Sequence, residues 1–454
     1  MAAWQVGEEH ILDITGLTHE ASGVGRVDGR ALFVPETIPG DRVKVRLVHL
    51  KERFGYAQLV DLIEPSVDRR PRSCPHAATC GGCQLQHMDY GAQLRWKREQ
   101  VADAMERIGK LDVEVLPVLG MNEPYHYRNK AQLPLGTEQG ELVMGFFQKG
   151  SHAIVDLHTC EIQHPLTTKL ALSVKRVVQD LGIEPYDEVN HRGVLRHAVI
   201  RVSFSEEKLM LLLVTRTPNL PAQDELLAQL LKDVPELVSV AHSVNPRVTN
   251  AILGPETKVI WGESYLMDSI GHLRYAISPG SFFQVNPIQT RVLYDLVRER
   301  MELTGHERIL DLYCGAGTIG LYLASEAREV IGVETFAGAV EDARYNARLN
   351  GIKGARFHVG KAEELLPKLM QKHKGIDGVI VDPPRKGCDP SLLETLVTFK
   401  VPRICYVSCN PSTLARDLSY LADQDYKIGP IQPVDMFPWT RHVECVVLMS
   451  VGNG

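Results

Sequence analysis

A cysteine at the end of an apolar run is the side chain best suited to chemistry in this chain. Cys409 follows the apolar residues 403–408 and precedes Asn410-Pro411, a pattern typical of a strand that passes into a helix. Three more chemistry-bearing segments follow or open other apolar runs: a glycine-rich turn at 315–320, Asp382 and Glu444. Strand ends on one edge of an open α/β sheet meet in one crevice. We therefore expect a thiol, two carboxylates and a glycine loop together, which suits covalent catalysis beside a nucleotide-like cofactor.

Strand-like and helical runs alternate regularly from about residue 279 onward. The strand-like runs are residues 308–314, 329–334, 355–359, 378–381, 403–408 and 442–449. A helical stretch at 337–349 is closed by Asn350-Gly351 as a stop signal. Such alternation predicts an α/β fold with a Rossmann-like, doubly wound parallel sheet.

Length and local patterning divide the chain into three expected domains. The chain has 454 residues, which is longer than a typical domain built around one hydrophobic core. Residues 1–66 alternate short β-rich runs with turn signals, which predicts a small β-barrel. Residues 67–278 predict a mixed α/β domain that carries a cysteine cluster, with a helix at 90–110 expected to pack on the catalytic domain. Residues 279–454 form the predicted catalytic domain.

Composition narrows the class of protein. Hydrophobic residues make up 44% and charged residues 23%, as in ordinary globular chains. No apolar run is long enough to span a bilayer, and residues 1–14 lack a hydrophobic signal core, so we expect a cytoplasmic protein. Nine cysteines then favour reduced thiols, a metal site or catalysis over disulfides. The net charge of −6 argues against indiscriminate polyanion binding, and without a coiled-coil pattern a monomer is expected.

The glycine loop predicts a cofactor with a ribose. Gly315, Gly317 and Gly320 match G-x-G-x-x-G, and Glu334 follows about twenty residues later, where its carboxylate can hold ribose hydroxyls. This pattern fits NAD and S-adenosylmethionine (SAM) equally well. Asp311, four residues before the first glycine, and the Asp382-Pro-Pro-Arg motif favour SAM.

A thiol in a SAM-dependent methyltransferase predicts a particular reaction. Carbon-5 of a pyrimidine is too weak a nucleophile to take a methyl group, but a thiolate added at carbon-6 activates it. Cys409 is the candidate nucleophile, with its pKa expected to be lowered by the following helix N-terminus. Glu444 is the candidate base that removes the carbon-5 proton, and Asp382 is expected to bind the uracil edge. The remaining cysteines of this half, expected to be structural, are Cys314, Cys388, Cys405 and Cys445.

These motifs resemble those of the RNA uracil-C5 methyltransferases, and the resemblance spans nearly the whole chain. The matching stretches are residues 281–286, 311–318, 382–385, 408–411 and 442–444. The resemblance implies that Gln284, Tyr313, Thr318, Glu334 and Asp382 contact SAM or line its site. It also implies that Cys409 is the nucleophile, Glu444 the base and residues 1–66 an OB-like TRAM domain that binds RNA. Thr318 departs from relatives that have Asn there.

The cysteine cluster lies in the segment before the 90–110 helix. Cys74, Cys80 and Cys83 share one loop, and Cys160 is the candidate fourth ligand. Four thiolates suit an iron–sulfur cluster or tetrahedral zinc, and spacing alone leaves both open. The resemblance to the rRNA-directed branch favours a [4Fe-4S] cluster and 23S rRNA as substrate. Cations expected to contact RNA phosphates flank the loop: Arg69, Arg70, Arg72, Arg95, Lys97 and Arg98.

The barrel segment carries a second candidate RNA surface. Arg42, Lys44 and Arg46 alternate with apolar residues, which predicts one cationic strand face, and Phe54 and Tyr56 follow nearby. A strand face that is simply exposed to solvent explains the same charges.

Three other functions stay open: a tRNA uracil-C5 methyltransferase, a non-catalytic RNA-binding protein on a methyltransferase fold, and an NAD-dependent oxidoreductase. The last leaves Asp382 and Cys409 unexplained.

Overall fold

The N-terminal part of the computed structural model is a closed five-stranded barrel. The model describes residues 4–373 and 375–452, so residues 1–3, 374 and 453–454 of the expected outer domains lie outside the described residues. The strands are β1 (Glu9–Leu17), β2 (Gly23–Val27), β3 (Arg30–Val34), β4 (Arg42–Leu50) and β5 (Phe54–Glu64). They close in the order β1-β2-β3-β5-β4. The predicted β-barrel is therefore confirmed.

The alternation predicted for β4 is also observed, but its cations are not free. Val43 and Val45 are fully buried in the barrel. On the outer face Lys44 Nζ lies 2.6 Å from Glu9 Oε2 and Arg46 Nη2 lies 2.7 Å from Glu9 Oε1. An acidic residue of β1 thus neutralises much of the cationic face that the sequence predicts.

The central part contains a seven-stranded sheet. Its elements are α1 (Tyr90–Ala104), β6 (Lys130–Glu138), β7 (Glu141–Phe147), β8 (Ile154–Asp156), α2 (Pro165–Asp180), β9 (Leu195–Val202), β10 (Leu209–Thr215), α3 (Gln223–Asp233), β11 (Leu237–Val244) and β12 (Glu256–Gly262). The strand order is β12-β11-β10-β9-β6-β7-β8. β9 and β10 are buried along their whole length and form the middle of this core.

The C-terminal part is an open, mostly parallel sheet with helices on both faces. After a hairpin of β13 (Leu266–Ile270) and β14 (Leu273–Ile277), its elements are α4 (Pro287–Met301), β15 (Arg308–Leu312), α5 (Thr318–Leu323), β16 (Glu329–Glu334), α6 (Ala337–Leu349), β17 (Ala355–Val359), α7 (Ala362–Lys372), β18 (Gly378–Val381), α8 (Pro390–Thr398), β19 (Arg403–Ser408), α9 (Pro411–Ala422), β20 (Tyr426–Ile428), β21 (Gln432–Val434) and β22 (Glu444–Val451). The order is β17-β16-β15-β18-β19-β22-β20, with β21 paired to β22. The predicted doubly wound α/β fold is confirmed.

Helix α1 packs against this C-terminal sheet rather than on the central one. Val101, Ala104 and Met105 belong to the same buried cluster as Leu310 of β15 and Leu414 of α9. The helix ends earlier than predicted, because residues Met105–Gly109 form a π-helical turn. None of the helices in the described ranges is long and apolar enough to cross a membrane.

Candidate active site

Cys409 and Glu444 lie opposite each other at one end of the catalytic sheet. β19 and β22 are antiparallel and pair Ser408, the last residue of β19, with Cys445. Cys409 follows Ser408 and Glu444 precedes Cys445, so extending the same register by one residue sets Cys409 beside Glu444, whose charge acts on the thiol. Residues directly opposite in such a pair have Cβ atoms about 4.5–5.5 Å apart. The sequence-predicted nucleophile and base are thus close neighbours.

The environment of Cys409 does not activate the thiol in the free protein. Burial, with the nearby carboxyl groups of Glu444 and Asp382, raises the pKa of Cys409 to about 11, although Arg385 lowers it. The prediction that the following helix lowers this pKa is wrong, because desolvation and the two carboxyls outweigh the N-terminus of α9. Burial also raises the pKa of Glu444 well above its usual range. Burial therefore favours the uncharged form of both the thiol and the carboxyl group in the free protein.

Carboxyl groups gather at the carboxyl ends of β15, β16 and β18. Burial, with the charges of Asp382 and Glu334, raises the pKa of Asp311 to about 7. Burial alone raises the pKa of Asp382 to about 7. A cationic ligand would favour the ionised form of these groups. The sulfonium and ammonium groups of SAM fit that requirement.

The glycine turn is tied to these carboxyl groups by backbone hydrogen bonds. The N–H of Gly315 donates to Glu334 Oε2 at 3.2 Å, and the N–H of Gly320 donates to Asp311 Oδ2 at 2.8 Å. A Cβ at Gly320 would lie 2.8 Å from that same Asp311 oxygen. Gly317 has φ of 75°, which a residue with a side chain rarely adopts. The turn therefore requires glycine at both positions.

The other residues predicted to hold SAM lie around this turn. The hydroxyls of Thr318 and Tyr294 are 2.7 Å apart. Tyr313, with φ of 64°, packs against the core that contains α8. Gln284 lies in the loop between β14 and α4, where its carbonyl accepts from Asn129 Nδ2 at 3.0 Å. Their roles toward SAM stay predictions, because these contacts are with the protein itself.

A cleft of about 710 Å³ opens onto Cys409. One wall is the barrel, at Gly16 and Leu17, and the other is α1. Arg385 and His442 line the cleft beside the thiol. A second, more open cleft of about 430 Å³ runs along the cysteine loop. The ion pair of Glu20 with Arg441 lines both clefts and joins the barrel to the segment before β22.

The four cysteines of the predicted cluster converge behind that segment. All four are free and partly buried. Burial raises the pKa of each of the four thiols. The charges of Cys160, Cys80 and Cys74 raise the pKa of Cys83 further. The N–H of Gly82 points at Cys80 Sγ, 3.4 Å away. Thiols with backbone donors are the ligand type of a metal centre, and the charge effects on Cys83 relate it to the other three cysteines.

The four cysteine side chains are not arranged as a metal-binding site in the described residues. In residues 4–373 and 375–452, no group of three or more His, Cys, Asp or Glu is arranged to hold an ion. Cys83 and Cys160 also pack against a buried cluster that contains Trp439. The backbone N–H of Leu85 donates to the Trp439 carbonyl at 2.9 Å. The cysteine loop therefore supports the chain just before Glu444, whichever group it holds.

Most of the cations flanking that loop have intramolecular partners. Lys97 is wrong as a phosphate contact, because it is fully buried and its Nζ lies 2.6 Å from Asp435 Oδ1. Arg69 binds the buried Asp41. The other four pair as follows: Arg70 over the ring of Trp439, Arg72 with Glu36, Arg95 with Asp68, and Arg98 with the Val115 carbonyl. These charges stabilise the junction between barrel, loop and α1.

Sequence reasoning missed two features of the site. Arg385 was noted only as part of a cofactor motif, yet its charge lowers the pKa of both Cys409 and Glu444. Trp439 is fully buried, and its Nε1 donates to the Pro124 carbonyl at 2.7 Å. Trp439 lies between Pro438 and Thr440, where apolar residues do not recur at the spacing of a helix or a strand. Only the size of its side chain therefore indicated a core position. Cys314, Cys388, Cys405 and Cys445 are buried as predicted.

A doubly wound sheet with a glycine turn and carboxyl groups at its carboxyl edge is the kind of site that binds a nucleotide-like cofactor such as SAM, and here it is joined to a closed barrel. The sequence matches the family model of tRNA (uracil-5-)-methyltransferases over residues 89–451 and the TRAM domain over residues 3–60. The chain therefore belongs to the tRNA (uracil-5-)-methyltransferase family, and the predicted family and TRAM domain are confirmed.

Relatives match along nearly the whole chain. An RNA methyltransferase of Halalkalibacterium halodurans is 48% identical over 99% of this chain and 98% of its own length. One of Listeria monocytogenes is 45% identical over 97% of each chain. The crystal structure of Pyrococcus abyssi tRNA (uracil-54, C5)-methyltransferase in complex with S-adenosyl-L-homocysteine is 31% identical. It covers 96% of this chain and 99% of its own, with a TM-score of 0.77.

Proposed function

We propose that this enzyme transfers a methyl group from SAM to carbon-5 of a uridine in 23S rRNA through a covalent adduct with Cys409. The observation that carries the proposal is the position of Cys409 directly after β19 and of Glu444 at the start of the antiparallel β22, with the charge of Glu444 acting on the thiol that lines the cleft. A thiol and a carboxyl side by side supply the nucleophile and the base that a carbon-5 methylation needs.

Cys409 and Glu444 carry out the bond changes and the proton transfer. SAM supplies the methyl group on a cationic sulfur and leaves as S-adenosylhomocysteine. Cys409 reacts as the thiolate, its proton having passed to solvent; its sulfur bonds to carbon-6 of uracil, and the electron pair of the carbon-5–carbon-6 double bond takes the methyl group at carbon-5. Glu444, in its ionised form, removes the carbon-5 proton; that electron pair re-forms the double bond, the C–S bond breaks and the Cys409 thiolate leaves. Arg385 stabilises the thiolate, since its charge lowers the pKa of Cys409.

In this scheme the Cys409 thiol becomes a thiolate only after the substrates have bound. In the free protein the carboxyls of Glu444 and Asp382 raise the pKa of Cys409. A cationic cofactor beside Asp382 would offset part of that effect. The RNA base must leave its stack to reach Cys409, so the enzyme flips its target uridine into the cleft.

The cofactor site that we propose follows the glycine turn. Gly315 and Gly317 let the backbone approach SAM, and Glu334 holds the ribose. Asp382 lies at the junction of the cofactor and uracil sites, since its charge acts on Asp311, Glu444 and Cys409. The remaining proposed contacts are Gln284, Tyr313 and Thr318.

For the cysteine loop we propose a [4Fe-4S] cluster held by Cys74, Cys80, Cys83 and Cys160. Its role is structural, because the loop bonds to the Trp439 segment that leads to Glu444. Metal binding releases the four thiol protons, which burial otherwise retains. Zinc is the competing occupant of the same thiolates.

Residues 1–66 are the proposed RNA-binding domain, followed by a central domain at 67–278 and a catalytic domain at 279–454. An aromatic cluster on the barrel supports RNA contact: the ring centroids of Phe33, Phe54 and Tyr56 are 5.5–5.8 Å apart, and Tyr56 is 43% exposed. Bases stack on such surfaces. Lys51 and Arg53 are exposed beside them.

A tRNA substrate is the second candidate. The Pyrococcus abyssi enzyme, named for uridine 54 of tRNA, aligns with 96% of this chain, barrel included. The barrel therefore does not separate the two substrates. Labelled SAM incubated with unmodified 23S rRNA and with tRNA, side by side, tests the proposal. Label as 5-methyluridine in rRNA supports it; label in tRNA alone keeps the chemistry and replaces the substrate.

A further inference from the structure

Two cations face each other at one end of the paired strands β6 and β9 in the central sheet. β6 and β9 are antiparallel, and their register pairs Lys130 directly with Arg201. Like charges directly opposite in a sheet destabilise it. Arg201 is only 4% exposed, and Lys130 is partly buried. Solvent therefore screens this repulsion poorly.

A third cation extends the pair, and no carboxylate neutralises it. Arg128 acts on Lys130, and its Nε donates to the Lys130 carbonyl at 3.2 Å. Within the described parts of the chain, neither Arg128, Lys130 nor Arg201 forms an ion pair with a carboxylate. Arg201 Nη2 donates to the Ser281 carbonyl, but its buried Nε has no acceptor among those residues.

The nearest negative group compensates Arg201 weakly. Asp342 acts on Arg201 through its charge, but its Oδ2 accepts hydrogen bonds from the hydroxyls of Ser278 and Ser281. Burial raises the pKa of Asp342, although the charge of Arg201 lowers it. Isolated buried cations are costly. Burial and the charges of Arg201 and Arg128 lower the pKa of Lys130 to about 7, so an anion beside the trio, Arg128, Lys130 and Arg201, would favour the charged form of the lysine.

The cation trio also adjoins the loop that the proposed function assigns to substrate binding. Asn129, between Arg128 and Lys130, donates its N–H to the Val285 carbonyl at 2.9 Å and its Nδ2 to the Gln284 carbonyl at 3.0 Å. Arg201 contacts Ser281 of the same loop.

We infer that Arg128, Lys130 and Arg201 bind an oxyanion of the substrates beside residues 281–285. Its source is a phosphodiester of the RNA or the α-carboxylate of SAM, which share this chemistry. The inference rests on the proposed function. Binding would relieve the repulsion between Lys130 and Arg201, so the free protein is destabilised until the anion arrives.

The test uses Lys130→Gln and Arg128→Gln in the full-length enzyme, with Lys169→Gln as control. Lys169 is a half-exposed lysine of α2 that pairs with Glu236, in the same domain. Thermal unfolding is measured first. Inorganic phosphate, compared with chloride at equal ionic strength, raises the Tm of the wild type and of Lys169→Gln more than that of Lys130→Gln. Without phosphate, Lys130→Gln keeps or raises the Tm, whereas a purely structural lysine would lower it.

Two binding measurements then identify the source of the anion. If it is an RNA phosphate, Lys130→Gln raises the KM for RNA about tenfold and lowers the salt dependence by about one unit of slope, with SAM affinity unchanged. If it is the carboxylate of SAM, the Kd for SAM rises about tenfold instead. Both variants behaving like Lys169→Gln in all three readouts would overturn the inference. A wild type that methylates no RNA refutes the proposed function, while the phosphate response and SAM affinity still decide the anion site.

Discussion

Lys97 and Asp435 form a fully buried ion pair between residues that are 338 positions apart in the sequence. Lys97 Nζ lies 2.6 Å from Asp435 Oδ1 and 3.1 Å from the Phe437 carbonyl, and the Tyr90 hydroxyl donates to Asp435 Oδ2 at 2.9 Å. The pair fastens α1 to the segment that leads from β21 to β22, and so to Glu444.

Lys97→Met should destabilise the enzyme strongly, because it leaves Asp435 buried without its counter-charge. Breaking one partner of such a pair costs about 3–5 kcal/mol. Denaturant unfolding of the variant measures this loss. The double variant Lys97→Met/Asp435→Leu should recover much of the stability, since it removes both charges. A single variant as stable as the wild type would mean that the pair is dispensable.

Cys409→Ala should abolish methyl transfer and leave SAM binding intact. The alanine removes the nucleophile but no carboxyl group of the cofactor site. Labelled methyl transfer and calorimetric SAM binding give the two readouts. Cys405→Ala is the matched control: it changes a buried cysteine of β19, the strand that ends just before Cys409, and turnover should persist. Turnover by Cys409→Ala would rule out the covalent mechanism.

Glu444→Gln should trap the protein on its RNA. Glutamine matches the protonated carboxyl that burial favours in the free protein, so folding should be unaffected. It takes no proton from carbon-5, and the C–S bond then persists. Denaturing electrophoresis with labelled RNA measures the adduct. Rapid release of methylated product by this variant would assign the proton transfer to another base.

SAM affinity should increase as the pH rises through about 7. Asp311 and Asp382 have pKa values raised to about 7, so the stability they contribute is fully present below about pH 4 and is lost as the pH rises through 7. Their ionised forms attract a cation. Calorimetry should therefore show the Kd for SAM falling between about pH 6 and 8. S-adenosylhomocysteine, which lacks the sulfonium charge, is the control and should show a weaker trend; equal trends would contradict the argument.

The cysteine loop should hold iron and sulfide, roughly four of each per chain after anaerobic purification. Cys83→Ser should lower the iron content and also the Tm, because the loop supports the Trp439 segment. Metal analysis together with visible absorption checks this. One zinc per chain and no visible absorption would replace the cluster by zinc.

The regular part of the fold was accessible from the sequence because its signals are local. The predicted runs at 329–334, 355–359, 378–381 and 403–408 coincide with β16, β17, β18 and β19, and the helix at 337–349 coincides with α6. Each is a short apolar run or a periodic stretch bounded by turn residues. The first predicted strand ends two residues early, at Leu312, because Tyr313 adopts a positive φ.

What the sequence did not reveal depends on contacts between distant segments. Lys97 reads as one of several exposed cations, yet its partner is 338 residues away. The thiol of Cys409 was expected to be acidic from its own helix, but carboxyl groups from other strands determine its pKa. Lys130 and Arg201 stand opposite each other only through strand register. The candidate site could thus be located from motifs, but not its charge balance.

The docking of α1 into the catalytic core has a consequence for the nascent chain. Val101 and Ala104 leave the ribosome long before Leu414, the residue of α9 in the same buried cluster. At ordinary rates of translation that interval is roughly tens of seconds. The face of α1 that carries Val101 and Ala104 therefore lacks its packing partners in the catalytic core while the intervening residues are being made.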